Sequence, residues 1–461
     1  MTVEAELKTK VARARARRKV PGVAVGVLVD GEEHFITSGV TSVDNPLPVT
    51  DATLFNIGST GKTFTATTLM LLVQQRKLSL DDPVVSHLPD FRVKDEDVTR
   101  KVKLHHLVTH TVGWDGDAGI EVDWGWGDDA LARRIAALRD VEQHAPPGMV
   151  WAYNNSGFQI AGRIIEVVTG KPFEAAVRQL VFEPLGLEMS FYFPWEAATR
   201  RFAVGHISTA EGPRVAHSWA THRAVGPAGG IMSSVRDQIA WARLHLGDGK
   251  TRSGSPFLDP STLELMQRQH FEAGSFVDGV GLCWLIRDIG GTRAIGHGGN
   301  ANNIQLSSFT MVPSRGFAIT VLTNAGAGGG LHDEIEKWAL EKYLGIRERE
   351  RNIMRLPAST LTEYAGTYRT RITDYHAAVS DGKVVLQPEY NMKAVEALDV
   401  TDDIRAMLQE QLKEAPKPET LRFFAPDRAI SRDKSRYEFL RDAEGRVAWM
   451  RTGGRLAPKA G

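Results

Sequence analysis

A single cysteine, Cys283, stands in 461 residues. One thiol excludes an internal disulfide and any multi-thiolate zinc site. Charge of one sign is not in excess either: 56 Lys+Arg balance 56 Asp+Glu, a formal net charge of +0 at pH 7. Sequence-independent binding to nucleic acid draws on surplus positive charge, so this chain is a poor candidate for it. No apolar run approaches the ~18 residues of a bilayer span. The N-terminal MTVEAELKTKVARARARRKVPG lacks the continuous apolar segment of a secretory signal. Its basic run, Lys8 to Lys19, is interleaved with alanine and preceded by Glu4 and Glu6. That pattern is a solvated helix face rather than a transit peptide. The expectation is a cytoplasmic protein with neither membrane nor nucleic-acid partners. Internal repeats and low-complexity tracts are absent.

What is present is an ordinary globular composition, 42% hydrophobic and 24% charged, with enough apolar residues for a full core. At ~150 residues per domain the length suggests two or three domains. Two β-rich runs, Val23–Val29 and Glu33–Thr37, flank Asp30-Gly31, a dipeptide that supplies the positive φ angles of a tight hairpin. A second hairpin joins Ile304–Val312 to Phe317–Thr323 through Pro313-Ser314-Arg315-Gly316. Between the hairpins the periodicity is helical. It predicts a buried helix over residues 61–77 around Phe64, Leu69, Leu72 and Val73. A second spans 157–169, with Phe158, Ala161, Ile165 and Val168 at helical spacing and Gly170 as its stop. A third carries Leu331, Ile335, Trp338, Ala339 and Tyr343 on one face. Residues 1–345 are therefore expected to form one mixed α/β (α+β) domain closed by its terminal strands.

Beyond Gly345 the character changes. The charged segment Arg347–Arg351 and Leu356-Pro357 define a linker, 346–356. Residues 357–461 read as short strands: Tyr364–Thr370, Ala377–Val379, Val384–Leu386, Leu421–Phe424, Tyr437–Leu440 and Val447–Arg451. Turns at Asp381-Gly382 and Asp442–Gly445 punctuate them, and a helix is expected over Asp402–Glu414. Such strands suggest a small antiparallel barrel or sandwich.

Three short elements bear on chemistry. Asn56-Ile-Gly-Ser-Thr-Gly-Lys-Thr63 lacks the first glycine of a phosphate loop, because Asn56 occupies that position. Read instead as Ser59-x-x-Lys62, it places an amine and a hydroxyl on one helix face. Serine is a weak nucleophile that needs a base, and lysine serves once burial or a neighbouring cation lowers its pKa. A helix N-terminus at Ser59 would also favour developing negative charge. The second element, Tyr153-x-Asn155, puts a phenol and an amide at a helix start. The third, Gly296-His297-Gly298-Gly299-Asn300, precedes a strand, and its glycines admit close approach of a substrate. Taken singly, each has a bland explanation: a capped helix beside a surface lysine, a half-buried tyrosine with a bonded hydroxyl, a turn histidine.

In this order and together, the elements resemble the serine β-lactamase and penicillin-binding-protein superfamily: S-x-x-K, Y-x-N and a K/H-x-G strand. The Y-x-N form is similar to class C β-lactamases, D,D-peptidases, and related esterases and D-aminopeptidases. Further segments share the likeness: Leu54-Phe-Asn-Ile-Gly-Ser59, Leu104-His-His-Leu-Val-Thr-His-Thr111, Pro147-Gly-Met-Val-Trp-Ala-Tyr153, Phe182-Glu-Pro-Leu-Gly-Leu187, Ala228-Gly-Gly-Ile-Met-Ser-Ser234 and Val321-Leu-Thr-Asn324. The resemblance covers roughly residues 5–345. It implies a β-lactamase/transpeptidase-like fold, an antiparallel sheet flanked by helices with a helical subdomain. It also implies a cofactor-independent serine hydrolase acting on a small-molecule ester, peptide or amide. Ser59 would form the acyl-enzyme, and Lys62 and Tyr153 would share proton transfer. The backbone N–H groups of Ser59 and Asn300 would form the oxyanion hole. Asn155 would contact Lys62 or a substrate amide, and His297, Gly298 and Gly299 would line the substrate. His297 stands where many β-lactamases carry lysine, which resembles the esterase and aminopeptidase branch and argues against β-lactamase activity. Residues 357–461 resemble the lipocalin-like β-barrel domain of some of these hydrolases, in Glu363-Tyr-Ala-Gly-Thr-Tyr368, Gly445-Arg-Val-Ala-Trp449 and Gly453-Gly454-Arg455. Such domains border the cleft of their own or a neighbouring chain, so a homo-oligomer is open.

Two features lie outside these motifs. His105, His106 and His110 suggest a metal, but no H-E-x-x-H glutamate or thiolate accompanies them, and no metal is expected. The segment Asp115–Asp129 carries Asp115, Asp117, Glu121, Asp123, Asp128 and Asp129 with Trp124 and Trp126 and no basic residue. A lid for an amino-bearing substrate is one explanation; a solvated acidic loop anchored by tryptophans is the preferred one. The alternatives to an ester, peptide or amide hydrolase are a β-lactamase, an acyl-transferring or cyclising relative, and a non-catalytic ligand-binding protein on the same fold. The last has no need of Ser59, Lys62, Tyr153 and His297 together.

Overall fold

A computed structural model describes residues 2–460 except 121, 218–220, 399–404, 406–411 and 413–415. The expected helix at 402–414 falls almost wholly outside the described residues.

The chain opens with α1 (Val3–Arg17), whose first turn is acidic and last turn basic, and whose Thr2 side chain accepts from Ala5 N. Leu7, Val11 and Ala14 are its buried face, and the Lys/Arg positions face outward as charged stems do. Strands β1 (Gly22–Val29) and β2 (Glu32–Gly39) follow, joined by Asp30 and Gly31 at φ 51° and 79°, as a two-residue hairpin requires. A short β3 (Phe55–Asn56) leads into a single 3₁₀ turn, Gly58–Gly61, and then α2 (Lys62–Gln74). Later come β4 (Ser190–Phe191), β5 (His206–Ser208), β6 (Pro213–Val215), β7 (Met232–Ser233), β8 (Phe271–Glu272), β9 (Gly279–Val280), β10 (Leu285–Ile289), β11 (Thr292–Ala301), β12 (Gln305–Val312) and β13 (Phe317–Thr323).

Among the described residues the central antiparallel sheet runs β2-β1-β13-β12-β11-β10-β9-β8. Its early and late strands pair directly, Val23 opposite Thr323, so the domain is closed by its own ends as expected. One sheet face is covered by α1 and the helix Gly329–Leu344 around Val23, Val25, Ile319 and Leu331. The other is covered by α2 and the helices Ser156–Thr169 and Val235–Leu246, with Phe64 stacked on Trp241 at 4.0 Å. Most of α2 is buried on every side, because it runs through this layer rather than over it.

From Gly345 to Pro357 the chain has no regular structure. It then forms a four-stranded antiparallel sheet of β14 (Gly366–Arg369), β15 (Thr373–Ser380), β16 (Lys383–Tyr390) and β17 (Glu419–Thr420). A five-stranded one follows: β18 (Arg422–Ala425), β19 (Arg428–Ile430), β20 (Arg436–Arg441), β21 (Val447–Thr452) and β22 (Arg455–Pro458). β17 passes into β18 through Leu421, whose N–H donates to Val384 O at 2.9 Å. At the opposite seam Tyr368 bridges Lys459 and Ala460 N donates to Thr367 O at 2.7 Å. The meander therefore closes on itself, as an up-and-down barrel does. Its interior is filled by side chains, with Tyr364 stacked on Phe439 at 4.3 Å and on Phe423 at 5.1 Å.

This unit docks on the first. Trp449 Nε1 donates to His144 O at 2.9 Å, and Arg451 Nη1 donates to Trp151 O at 2.6 Å. Tyr153 N donates to Gly454 O at 2.7 Å. The β21–β22 turn thus lies against the Tyr153 segment.

Candidate active site

Three stretches distant in sequence meet at the start of α2. Ser59 sits on the 3₁₀ turn and Lys62 is the first residue of α2. Gly58 has φ +49°, and a Cβ there would lie 2.7 Å from Asn300 N. A Cβ on Gly299 would strike Ile57 O at 1.8 Å. The Ser59 turn and β11 therefore touch backbone to backbone, which only glycine at both positions allows. Polar side chains fix the turn further: Gly58 N donates to Asn56 Oδ1 at 2.8 Å, Asn56 N to Gln305 Oε1 at 2.8 Å, and Ser307 Oγ to Ile57 O at 2.7 Å.

Lys62 is fully buried. Its Nζ donates to Ser59 Oγ at 3.0 Å and to Ala228 O at 2.5 Å. Burial pushes its pKa down to about 7, and the charge of Arg455 acts in the same direction. A large fraction of the amine is then neutral near pH 7, with a lone pair for a proton. The Tyr153 phenol is hydrogen-bonded to Ser59 and also lies in the dry interior, and burial raises its pKa well above the ordinary value. It remains a phenol, a donor rather than a resting base. Lys62 Nζ is 5.1 Å from the Tyr153 ring centre.

The other expected residues are brought to the same place. Asn155, expected to contact Lys62 or a substrate amide, donates its Nδ2 to Asp117 Oδ1 at 2.5 Å. His297, expected to line the substrate where many β-lactamases carry lysine, is buried at 4% exposure. Burial, with Lys62 beside it, pushes its pKa down to about 3. Its Nδ1 donates to Gly298 O at 2.6 Å, since a carbonyl only accepts. Nε2 is left as a buried acceptor without a partner among the described residues. The imidazole is a neutral wall of the site.

Three residues of the centre were not identified from the sequence. Arg455, at the start of β22, holds its guanidinium 4.5 Å over the Tyr153 ring. Its Nε donates to Asp117 Oδ2 at 2.8 Å. Asp117, counted with a solvated loop, is half-buried, and although burial alone would raise its pKa, Arg455 and Asn155 hold it below the ordinary value. His110 lies beneath Tyr153, its ring stacked at 4.5 Å and 22°, with Nδ1 accepting from Asn154 N at 2.9 Å. It is thereby separated from its neighbours in sequence: His105 Nδ1 donates to Leu80 O and His106 Nδ1 accepts from Lys103 N. Among the described residues no group of three or more His, Cys, Asp or Glu side chains is arranged to hold a metal ion.

A hydroxyl within reach of a buried amine and a phenol, facing a strand edge, is the geometry of acyl transfer by serine. The comparisons agree in kind. The family description "Beta-lactamase" matches residues 7–343. The chain belongs to the beta-lactamase family. It is a serine hydrolase of the beta-lactamase/transpeptidase-like superfamily. "Penicillin-binding protein 4" of Amycolatopsis lactamdurans is 36% identical over 364 residues, 77% of this chain and 94% of that one. The structure of SurE with D-Leu matches at a TM-score of 0.75 and 22% identity, covering 99% of each chain. The D-amino acid amidase of Ochrobactrum anthropi SV3 with D-phenylalanine matches at 0.60 and 25% identity, covering 73% of this chain and 98% of that one. Among the described residues no helix of this beta-lactamase-family chain is long and apolar enough to cross a membrane.

Proposed function

We propose that the chain cleaves a carboxylic ester or a small peptide or amide, D-residue substrates included, through an acyl-enzyme on Ser59. The observation that carries this is the 3.0 Å contact between fully buried Lys62 Nζ and Ser59 Oγ. Neutral Lys62 takes the hydroxyl proton as Oγ bonds to the substrate carbonyl carbon. The resulting oxyanion is held by the backbone N–H groups of Ser59 and Asn300, whose chains touch at Gly58. The C–O or C–N bond to the leaving group breaks, and the leaving atom takes a proton through Tyr153 and Lys62. Water then releases the acyl group by the same steps in reverse order. Gly298, Gly299 and His297 line the substrate, and Asn155 is held by Asp117 to face it. The D-amino acid amidase neighbour supports D-residue amides as one substrate class.

In this reading residues 1–345 form the hydrolase domain. Residues 357–461 form a lipocalin-like β domain joined by 346–356, which brings Arg455 over the Tyr153 ring. The test is intact-mass detection of an adduct on Ser59 after exposure to an ester, a D-residue peptide and a β-lactam. An ester or peptide adduct that is lost in Ser59→Ala supports it. Unchanged turnover in Ser59→Ala overturns it.

A further inference from the structure

One residue, His110, grips the chain on both sides of Tyr153. Its carbonyl accepts from Ala152 N at 2.9 Å, and its Nδ1 accepts from Asn154 N at 2.9 Å. The residues before and after Tyr153 are thus tied to the same histidine, whose ring also lies under the Tyr153 ring at 4.5 Å and 22°. We propose that His110 is a positioning residue that holds the Tyr153 hydroxyl against Ser59, an inference that rests on the function proposed above. The third N–H of the segment, that of Tyr153 itself, donates to Gly454 O at 2.7 Å. Asn154 is anchored in turn, its Oδ1 accepting from Gly157 N at 2.8 Å and its Nδ2 donating to Trp114 O at 3.2 Å. Little freedom is left to the phenol, as efficient proton transfer at a fixed hydroxyl requires.

Two features separate His110 from a residue that fills space. Its φ is +59°, in the left-handed region that most residues other than glycine avoid. Its ring is fully buried. Because Nδ1 accepts, the neutral imidazole carries its proton on Nε2, a buried donor without a partner among the described residues. A phenylalanine would give the stack without that stranded N–H, and an asparagine or glycine would meet the backbone demand with less strain. Histidine supplies the ring for the stack and the acceptor for Asn154 N at once. Burial, and next the charge of Lys62, push its pKa well below the ordinary value, so Nδ1 stays an acceptor. A protonated ring would set N–H against N–H there.

The test compares kcat/KM for two esters of one acid, p-nitrophenyl butyrate and ethyl butyrate, on the full chain. The nitrophenolate departs without a proton, whereas ethanol leaves only with the proton that Tyr153 and Lys62 deliver. His110→Gly tolerates the backbone conformation and removes both ring and acceptor; His110→Asn tolerates it and returns an acceptor. His110→Gly should lower cleavage of the ethyl ester ~10-fold or more beyond its effect on the nitrophenyl ester, a part of the ~10²–10⁴-fold that positioned proton transfer contributes. His110→Asn should give an intermediate ratio. In a Tyr153→Phe background, where the hydroxyl to be positioned is gone, neither substitution should move the ester ratio further. Circular dichroism establishes folding; where His110→Gly does not fold, the smaller shift of His110→Asn and its disappearance in Tyr153→Phe decide. Equal losses on both esters in a folded variant, or a further shift of the ratio in the Tyr153→Phe background, overturns the positioning role. Absence of an acyl adduct on Ser59 in the wild type would instead overturn the proposed function, and it is read separately by intact mass.

Discussion

Arg455 lies face-on to Tyr153, its guanidinium 4.5 Å from the ring centre, while its Nε donates to Asp117 at 2.8 Å. A residue of the C-terminal β unit thus sits against Tyr153 of the first. The cation favours the electron-rich ring face. Burial would lower the Arg455 pKa, but Asp117 more than offsets it, and the guanidinium keeps its charge. Asp117 in turn bonds Asn155, so one carboxylate orients groups from two parts of the chain.

That charge acts on Lys62 with opposite signs from the two partners: Arg455 lowers the lysine pKa and Asp117 raises it. Arg455→Ala should therefore shift the acidic limb of the kcat/KM–pH profile upward and slow turnover at pH 7. Asp117→Asn should shift it downward. Profiles that move the same way in both variants would mean that the pair acts only by shaping the site.

The acidic limb itself belongs to Lys62. Its base form is the deprotonated one, and with a pKa of about 7 activity should rise from pH 6 to pH 8 and fall away below. Lys62→Ala and Tyr153→Phe should each lower acylation by ~10²–10⁴-fold, the usual worth of positioned proton transfer. Their losses should be far from additive, because the groups act as one unit. Stopped-flow acylation of the single and double variants checks this.

The local elements of the fold were legible because their signals are local. Asp30-Gly31 specifies its hairpin, and Gly170, at φ +67°, ends the helix that begins at Ser156. The S-x-x-K spacing placed Ser59 and Lys62 within one turn. What the sequence did not show was burial that depends on distant partners. Asp117 in an acidic run has the pattern of solvated charge until Arg455 arrives from β22. Strand β22 itself was missed because it is only Arg455–Pro458, entered through two glycines and ended by proline, and β19 because it is only Arg428–Ile430. His297 has the pattern of a titrating turn residue, and only the packing of β11 against the Ser59 turn shows why it stays neutral.

The docking of the β unit rests on a buried ion pair. Arg451 and Glu438 are in contact at 3% and 5% exposure. Arg451 also donates to Trp151 O, and Glu438 accepts from Ser275 N at 3.1 Å. Glu438→Leu leaves the guanidinium buried without its counter-charge, a change that costs ~3–5 kcal/mol in comparable cases. Thermal unfolding followed by calorimetry should show the loss. Loss of the Tyr153 N–Gly454 O contact would lower activity before the main transition, since Arg455 withdraws with its strand.

The last expectation concerns substrate class. At a pKa of about 3, His297 carries no charge at pH 7 and cannot pair with the carboxylate of a β-lactam. Arg455 does carry charge, but Asp117 already engages it. Short-chain p-nitrophenyl esters, which have no carboxylate to place, should be hydrolysed readily, and nitrocefin slowly or not at all. His297→Lys adds an amine whose own pKa burial and neighbouring Lys62 will lower, so its charge appears most fully at mildly acidic pH. There it should raise affinity for carboxylate-bearing β-lactams more than for neutral esters. Wild-type nitrocefin turnover with kcat/KM in the ~10⁴–10⁸ M⁻¹s⁻¹ range of efficient enzymes, with esters far slower, would replace the ester or amide assignment with a β-lactamase one. It would also make Arg455, released from Asp117, the group to examine for carboxylate binding.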